Sequence, residues 1–179
     1  MRKTTTFALL ATAVVALGCG AGATDADTAS SSGSDGAAVK GEEKAAKTAK
    51  IGQPARDGKF EFTVKSSKCG VAKVGTSMLG EKAQGQFCLI TINVKNIGKE
   101  SQMFDGSSQK AYAADGTEYS ADTGAAIYAN QNAETFLNDI NPGNQVTGVV
   151  VFDIPKKVKL TKLELHDSPF SGGVTVALS

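Results

Sequence analysis

The sequence predicts an all-β protein whose C-terminal part forms an immunoglobulin-like β-sandwich, and three observations predict this class. Apolar and polar residues alternate in several short runs, and a period of two is typical of half-buried strands. Turn-forming pairs such as Asp115-Gly116 separate these runs. No segment of this part shows the sustained periodicity of an amphipathic helix, and strands at this spacing favour a sandwich.

A short apolar segment preceded by positive charge opens the chain. Arg2 and Lys3 are followed by mostly apolar residues from Phe7 to Leu17. This is the layout of a secretory signal, and the segment is shorter than the roughly twenty apolar residues that a membrane-spanning helix needs. We therefore predict that residues 1–18 form a signal peptide.

The next residue, Cys19, ends the stretch ALGC, which resembles the bacterial lipobox. In that motif the cysteine is diacylated and becomes the new N-terminus. Two or three acyl chains hold a protein firmly on a membrane, because each buried methylene group contributes roughly 0.8 kcal/mol. We predict a lipoprotein in which Cys19 carries acyl chains such as palmitate and anchors the chain to the outer face of the cell membrane. An ordinary signal peptide with an incidental cysteine is the alternative.

Residues 19–56 are poor in large apolar side chains. Beyond Cys19 this segment has no aromatic residue, its larger aliphatic residues are Val39 and Ile51, and its acidic and basic residues balance. Such a segment buries too little apolar surface to offset the entropy lost on ordering. We predict a disordered, flexible tether with a reach of roughly 35 Å.

Residues 57–179 are predicted to form a single sandwich domain. The alternation assigns a buried face to each run: Phe60, Phe62 and Val64 in the first, Cys88, Ile90, Ile92 and Val94 in the second, and Val174, Val176 and Leu178 in the last. Asp115-Gly116 predicts a type I′ hairpin, and the sequence NPGN at 141–144 predicts a type II turn. The chain has no tryptophan, so the Cys-Trp-Cys hallmark of antibody domains is absent.

Two cysteines, Cys69 and Cys88, remain in this domain. Disulfides persist in the oxidising space that an exported protein enters. We predict a bridge between them, which would close a loop of about twenty residues and stabilise the domain by roughly 3 kcal/mol. A redox or metal pair is the alternative, but one histidine and no CxxC motif supply neither a zinc set nor a redox motif.

Five stretches of the domain together resemble a known family. They are DGKFEFTVKSSKCG, GQFCLITINVKNIG, YAADGTEYSAD, FLNDINPGNQVTGVVVFDIP and LELHDSPFSGG. The resemblance is to actinobacterial lipoproteins catalogued as domain of unknown function 4352, which are similar to secreted immunoprotective extracellular proteins of mycobacteria. It implies an immunoglobulin-like sandwich at the cell surface, and it implies no ligand because the family has no agreed one.

The charge of the domain argues against a nucleic-acid partner. Basic and acidic residues nearly balance, and the formal net charge of the whole chain is +1, whereas nucleic-acid binding requires a basic footprint. The only histidine, His166, is adjacent to Asp167 and near Ser168 and Ser171. Neighbouring residues on a strand point to opposite faces and no nucleophile-elbow motif is present, so we expect His166 to cap a strand end and expect no enzyme.

Acidic residues near turns are the candidates for a calcium site, and they are Asp105, Asp115, Glu118, Asp122, Asp139 and Asp153. None lies in a loop with the ligand spacing of an EF-hand, and aspartate favours turns for backbone reasons alone. We therefore expect turn formation from these residues, and no metal or cofactor.

Tyrosines provide the candidate partner-contact surface. Tyr112, Tyr119 and Tyr128 lie among serine, asparagine and glutamine residues, and tyrosine is well suited to contact surfaces because its rigid ring costs little entropy to immobilise. Packing at the edges of the sandwich is the alternative role for these rings. The sequence thus predicts a surface-displayed binding module for another extracellular or cell-wall protein, with a structural envelope lipoprotein that has no specific ligand as the alternative.

Overall fold

The structure is a computed structural model, and it describes residues 48–130 and 136–179. The predicted signal peptide 1–18, the predicted lipidated Cys19 and most of the predicted tether lie outside these residues. Within the two described ranges, no helix is long and apolar enough to cross a membrane.

Strands make up most of the described chain. The strands are β1 Ala49–Lys50, β2 Pro54–Asp57, β3 Phe60–Gly75, β4 Gly80–Asn96, β5 Gln102–Met103, β6 Lys110–Ala113, β7 Glu118–Ser120, β8 Asp139–Ile140, β9 Gln145–Ile154, β10 Leu160–Leu165 and β11 Val174–Ala177. A 3-10 helix, Gly106–Ser108, precedes β6, and an α-helix, α1 Thr123–Ala129, follows β7.

The strands form two main sheets, which confirms the predicted β-sandwich. One sheet has the order β1-β11-β10-β6-β7, the other has the order β2-β3-β4-β9, and β5 pairs separately with β8. All pairs are antiparallel except β1 with β11. Across residues 48–130 and 136–179 strands predominate over helices, because the sequence there buries apolar side chains with a period of two, which suits a pleated sheet.

The main core consists of the side chains predicted to face inward. The inward-facing side chains of β3, β4 and β11 are fully or almost fully buried, and they are Phe60, Phe62, Val64, Cys88, Ile90, Ile92, Val94 and Val176. Val174 and Leu178 are partly buried and pack against them. β9 and β10 complete the core with Phe152, Leu163 and Leu165. Burial of each large apolar side chain contributes about 1.5–3 kcal/mol, so this core is the principal stabilising element of the domain.

A second, smaller cluster lies on the opposite face of the β3-β4-β9 sheet, where α1 covers it. Val74, Phe87, Ala125 and Val151 are buried there. The sequence pattern did not predict α1, because a seven-residue helix is too short to show a period of 3.6 residues. A cap stabilises the helix, since the Asp122 side chain accepts a hydrogen bond of 2.9 Å from the Ala125 amide.

The predicted start of the domain at residue 57 is wrong, because β1 and β2 lie before it. Ala49 of β1 pairs with Val176 of β11 and is buried. Ala55 of β2 is also buried, and β2 pairs with β3. Both strands are short, with small or polar residues, so they carried no visible alternation. The folded part therefore includes β1 and β2, which the sequence analysis assigned to the tether.

The two predicted turns are present, and one has a different type. The Gly116 amide donates to the Ala113 carbonyl, so the central residues of the β6–β7 turn are Ala114 and Asp115, and Gly116 follows them at φ 87°. This is the pattern of a turn with a glycine bulge, not of the predicted type I′ turn. The turn at 141–144 has Gly143 at φ 80°, as a type II turn requires.

Candidate functional site

The three tyrosines predicted to form a contact surface lie in three different places. Tyr112 of β6 and Glu118 of β7 are cross-strand partners on the outer face of their sheet. Tyr119 points the other way and packs against the main core. Tyr128 is exposed on α1, which covers the other sheet. The structure therefore does not bring the tyrosines together, because alternation turns neighbouring strand residues to opposite faces.

Tyr112 belongs to a charged network on the outer sheet face. Its hydroxyl donates to the Glu118 carboxylate at 2.9 Å, and the Lys162 ammonium lies 4.5 Å from the centre of its ring. Burial raises the pKa of Tyr112 well above its usual value, and the Glu118 hydrogen bond and the Glu164 charge add to this. The pKa of Glu118 is lowered in turn by the Tyr112 and Lys110 hydrogen bonds. The proton therefore stays on the tyrosine, and the network is a set of satisfied contacts.

His166 follows β10 directly and is buried, as expected for a residue at a strand end. Its backbone is held by the Gln109 side chain, which accepts from the His166 amide at 2.9 Å and donates to its carbonyl at 3.0 Å. Ring atom Nε2 lies 2.9 Å from a Glu164 carboxylate oxygen, and ring atom Nδ1 lies 3.3 Å from the Ser171 hydroxyl. This network fixes the segment between β10 and β11.

Asp167, the neighbour of His166 in the sequence, has other partners. Its carboxylate accepts from the Lys59 amide at 3.1 Å, and its own amide donates to Asp57 at 2.8 Å. The Ser171 hydroxyl also donates to the Ser168 carbonyl at 3.1 Å. These contacts join the segment after β10 to the start of β3, and they give Asp167 a role in positioning the backbone.

Most of the acidic residues considered for calcium bind backbone amides. Asp115 accepts from Thr117 at 3.0 Å, and Asp153 accepts from Gln84 at 2.6 Å and Gly85 at 3.0 Å. In residues 48–130 and 136–179, no three histidine, cysteine or acidic side chains come together in a way that could hold a metal ion. These aspartates stabilise turns and strand ends.

The predicted disulfide between Cys69 and Cys88 is present, with its Cα atoms 3.9 Å apart. Cys88 is fully buried, whereas Cys69 is exposed. The β3–β4 register shifts between Lys68 and Val71, so Cys69 and Gly70 together oppose Cys88 in a bulge. Gly70 has φ 85°, which a side-chain-bearing residue rarely adopts.

An apolar cleft between α1 and the β5 region is the candidate functional site. Its volume is about 220 Å³. Three exposed apolar side chains surround it, and their exposed fractions are 57% for Met103, 50% for Ile127 and 58% for Leu137. Leaving such side chains in contact with water is unfavourable, and their convergence on one concave site is typical of binding surfaces.

The floor of the cleft consists of packed aromatic rings. Phe104 is almost fully buried there, and its ring centre lies 4.7 Å from that of Phe136 in an edge-on arrangement. On its other side, Phe104 lies 6.2 Å from Phe60 and 6.0 Å from Phe62, so the floor continues into the main core. A site built on packed aromatic rings keeps its shape when empty.

The polar groups at the rim already have partners within the protein. Asn130 donates to the Val149 carbonyl at 3.0 Å and accepts from the Val149 amide at 2.8 Å. Burial raises the pKa of Asp105, but hydrogen bonds from Ser107 and Ser108 outweigh it and hold the pKa below its usual value. The cleft therefore presents mainly apolar surface to a ligand.

A larger depression of about 500 Å³ lies beside the 141–144 turn, and it is a weaker candidate. It is lined by Lys95, Asp139, Asn141 and neighbouring loop residues, and it opens widely to solvent. Binding sites generally enclose their ligand with apolar walls and add a few polar groups. The cleft between α1 and β5 meets this description and the depression does not.

Sequence reasoning missed the cleft because its residues come from three separate segments. Met103, Ile127 and Leu137 lie in β5, in α1 and just before β8, and none of these elements is long enough to show a period. One signal was present: the stretches SQMFDG and TFLND place pairs of large apolar residues within otherwise polar segments.

Residues 49–176 match the family described as "Domain of unknown function (DUF4352)". A curated relative, the uncharacterized protein YxkC of Bacillus subtilis strain 168, is 32% identical over 118 residues. That match covers 62% of this chain and 65% of the relative, so the chain spans somewhat less than two thirds of the length of this relative.

Solved structures with the same fold include two from different bacteria. The secreted protein MPT63 of Mycobacterium tuberculosis aligns with a TM-score of 0.53 at 18% identity, over 73% of this chain and 95% of MPT63. The yjhA protein of Bacillus subtilis aligns with a TM-score of 0.52 at 17% identity, over 74% of this chain and 100% of yjhA. At these identities the likeness shows the fold alone.

Proposed function

The chain belongs to the family described as domain of unknown function (DUF4352). We propose that it is an exported, lipid-anchored surface protein whose sandwich binds another extracellular or cell-wall protein through its apolar cleft. The observation that carries the proposal is the convergence of Met103, Ile127 and Leu137, each at least half exposed, on one floor of packed aromatic rings. Large exposed apolar patches mark interaction sites in soluble domains.

The size of the cleft favours a protein partner over a free small molecule. Pockets for drug-sized ligands usually measure about 300–1,000 Å³, whereas this cleft measures about 220 Å³. A space of this size accommodates one or two large apolar side chains. Insertion of such an anchor into a desolvated pocket is the usual energetic centre of a protein–protein interface.

Export and anchoring are supported by the N-terminal sequence. The positively charged start, the apolar segment and the ALGC stretch resemble a lipoprotein signal that ends at Cys19. An acylated Cys19 holds the sandwich at the outer face of the membrane, where a disulfide between Cys69 and Cys88 persists.

The experiment is a crosslinking pull-down from intact cells that compares two matched variants. Leu137→Asp places a charge in the cleft, and Phe170→Asp places the same charge at an apolar residue that is 97% exposed and outside the cleft. We expect Leu137→Asp to weaken capture of an exported partner by at least about tenfold, since burial of an unpaired charge at an interface costs more than 1.4 kcal/mol. Phe170→Asp should capture it as well as the wild type.

Equal capture by both variants and the wild type, with unchanged melting temperatures, would refute the cleft as the binding site. If no protein is captured above the level of a tag-only control, the protein is instead a structural envelope lipoprotein without a specific ligand.

A further inference from the structure

A two-stranded arm extends the β3–β4 hairpin beyond the sandwich. We define this distal arm as residues 70–87, the segment enclosed by the Cys69–Cys88 disulfide. Most of the arm has no neighbouring strand, because β2 reaches only Thr63 of β3 and β9 pairs within the arm only with Gln86 and Phe87 at its base. The arm is thus stapled at its base and supported on one face by α1 through Val74.

The tip of the distal arm exposes two consecutive apolar residues. Met78 is 92% exposed and Leu79 is 70% exposed. The turn that presents them is well hydrogen-bonded: the Leu79 amide donates to the Thr76 hydroxyl at 3.0 Å, and the Lys73 ammonium donates to the Thr76 carbonyl at 2.6 Å. The two side chains are therefore held outward by a defined turn.

Positive charge lies on the arm that carries this tip and on the hairpin below it. Lys73 and Lys82 are exposed on the arm, and Lys65 and Lys68 are exposed on β3 below the disulfide. Glu81 is the acidic residue of this stretch. Lys73 and Lys82 are direct cross-strand partners, and like charges in this position destabilise a sheet. In the described part of the chain, none of these lysines has an ion pair within 4.0 Å.

Apolar residues at a protruding tip, flanked by lysines, are the pattern of a segment that binds the interface of an anionic membrane. Apolar side chains enter the boundary between headgroups and acyl chains, and the lysines reach the phosphate groups. An external layer of anions also relieves the repulsion between Lys73 and Lys82. Met78 and Leu79 protrude into solvent at the end of the arm, so they can enter a soft interface.

From these observations we infer that the distal arm is a second, reversible membrane contact, which inserts Met78 and Leu79 into an anionic lipid surface while Lys73 and Lys82 bind its headgroups. The inference rests on the proposed membrane location. The arm orients the sandwich on the surface, and it shares no lining residue with the cleft.

Vesicle sedimentation tests the inference with the mature chain carrying Cys19→Ser, so that no acyl chain contributes. Phosphatidylcholine vesicles with and without phosphatidylglycerol are the probes. We expect partition onto the anionic vesicles that weakens with salt. Lys82→Gln leaves the Lys73 contacts of the turn intact and should lower the partition coefficient by roughly fivefold. The pair Met78→Ser and Leu79→Ser should lower it by roughly tenfold or more, whereas Phe170→Ser should leave it unchanged.

Insertion itself has a direct optical readout, because the chain contains no tryptophan. The emission of a Leu79→Trp variant should shift to shorter wavelength with anionic vesicles and be quenched by brominated lipid. A Phe170→Trp variant should show neither effect. Equal partition of the wild type onto neutral and anionic vesicles, or an unshifted Leu79→Trp emission, would overturn the inference. Neither result affects the proposed binding at the cleft, which is tested with Leu137→Asp. Neither affects the proposed acylation of Cys19, which is tested in cells.

Discussion

Replacing Cys69 by alanine isolates the contribution of the disulfide to stability. Cys69 is exposed, so its own side chain loses little packing when it is truncated, whereas Cys88 is fully buried. The mature chain with Cys19→Ser is the suitable background, because it has no other thiol to exchange with the pair. All three bridge variants, Cys69→Ala, Cys88→Ala and the double variant, are compared in this background.

The expected magnitude follows from the separation of 19 residues between the bridged cysteines. Cross-linking a loop of this length removes entropy from the unfolded chain that is worth about 3 kcal/mol at 25 °C. Cys69→Ala should therefore lower the free energy of unfolding by about 3 kcal/mol, which corresponds to roughly 10 °C in melting temperature for a domain of this size. Cys88→Ala should cost roughly 1 kcal/mol more, since it also removes a buried sulfur atom.

Urea unfolding followed by circular dichroism measures these differences, and alkylation without reductant counts free thiols. The double variant should have the same free energy of unfolding as Cys88→Ala within error, because both variants lack the same single disulfide. A loss of less than about 1 kcal/mol for Cys69→Ala, or two alkylated cysteines in the native wild type, would refute the reasoning from loop entropy.

Three further predictions concern the anchor, the folded boundary and the rim of the cleft. Cys19→Ser should move the protein from the membrane fraction to the medium or leave it unprocessed; a detergent-partitioning, acylated product would show that the anchor is elsewhere. Limited proteolysis should give a resistant fragment that starts near Ala49, because β1 and β2 are paired in the sheets, and a fragment starting at Asp57 would contradict that pairing. The lowered pKa of Asp105 means that its charged form stabilises the fold above the usual carboxylate pKa, and that this contribution is lost as pH falls through the folded pKa. Asp105→Asn should therefore be less stable than the wild type at pH 7, with a gap that narrows below about pH 4; a gap independent of pH would show that the charge is not involved.

The long strands were the part of the fold that the sequence predicted well. β3 and β4 each contain several cycles of alternation, so the buried faces of Phe60–Val64 and Cys88–Val94 could be assigned from the pattern alone. The disulfide followed from the number of cysteines and the expected compartment. These inferences depend on local periodicity or on composition, both of which are visible without tertiary structure.

Short elements and the cleft were not predictable in this way. β1, β5 and β8 have two residues each, and α1 has seven, so none shows a complete period. The sequence left open whether Tyr119 lies on a contact surface or packs against the sandwich, because β7 has only three residues; the pairing of Ala111 with Tyr119 sets its direction. The cleft arises from contacts between segments distant in the sequence, which only the tertiary fold brings together.

Site-specific photocrosslinking in living cells tests the proposed binding function most directly. A photoreactive residue is placed at Ile127, which lines the cleft, and separately at the adjacent Tyr128, which is exposed on the same helix but does not line it. We predict a discrete adduct with an exported protein from position 127 that is lost with Leu137→Asp and is absent from position 128. Adducts of equal yield from both positions, or none from position 127, would contradict the assignment of the cleft as the binding site.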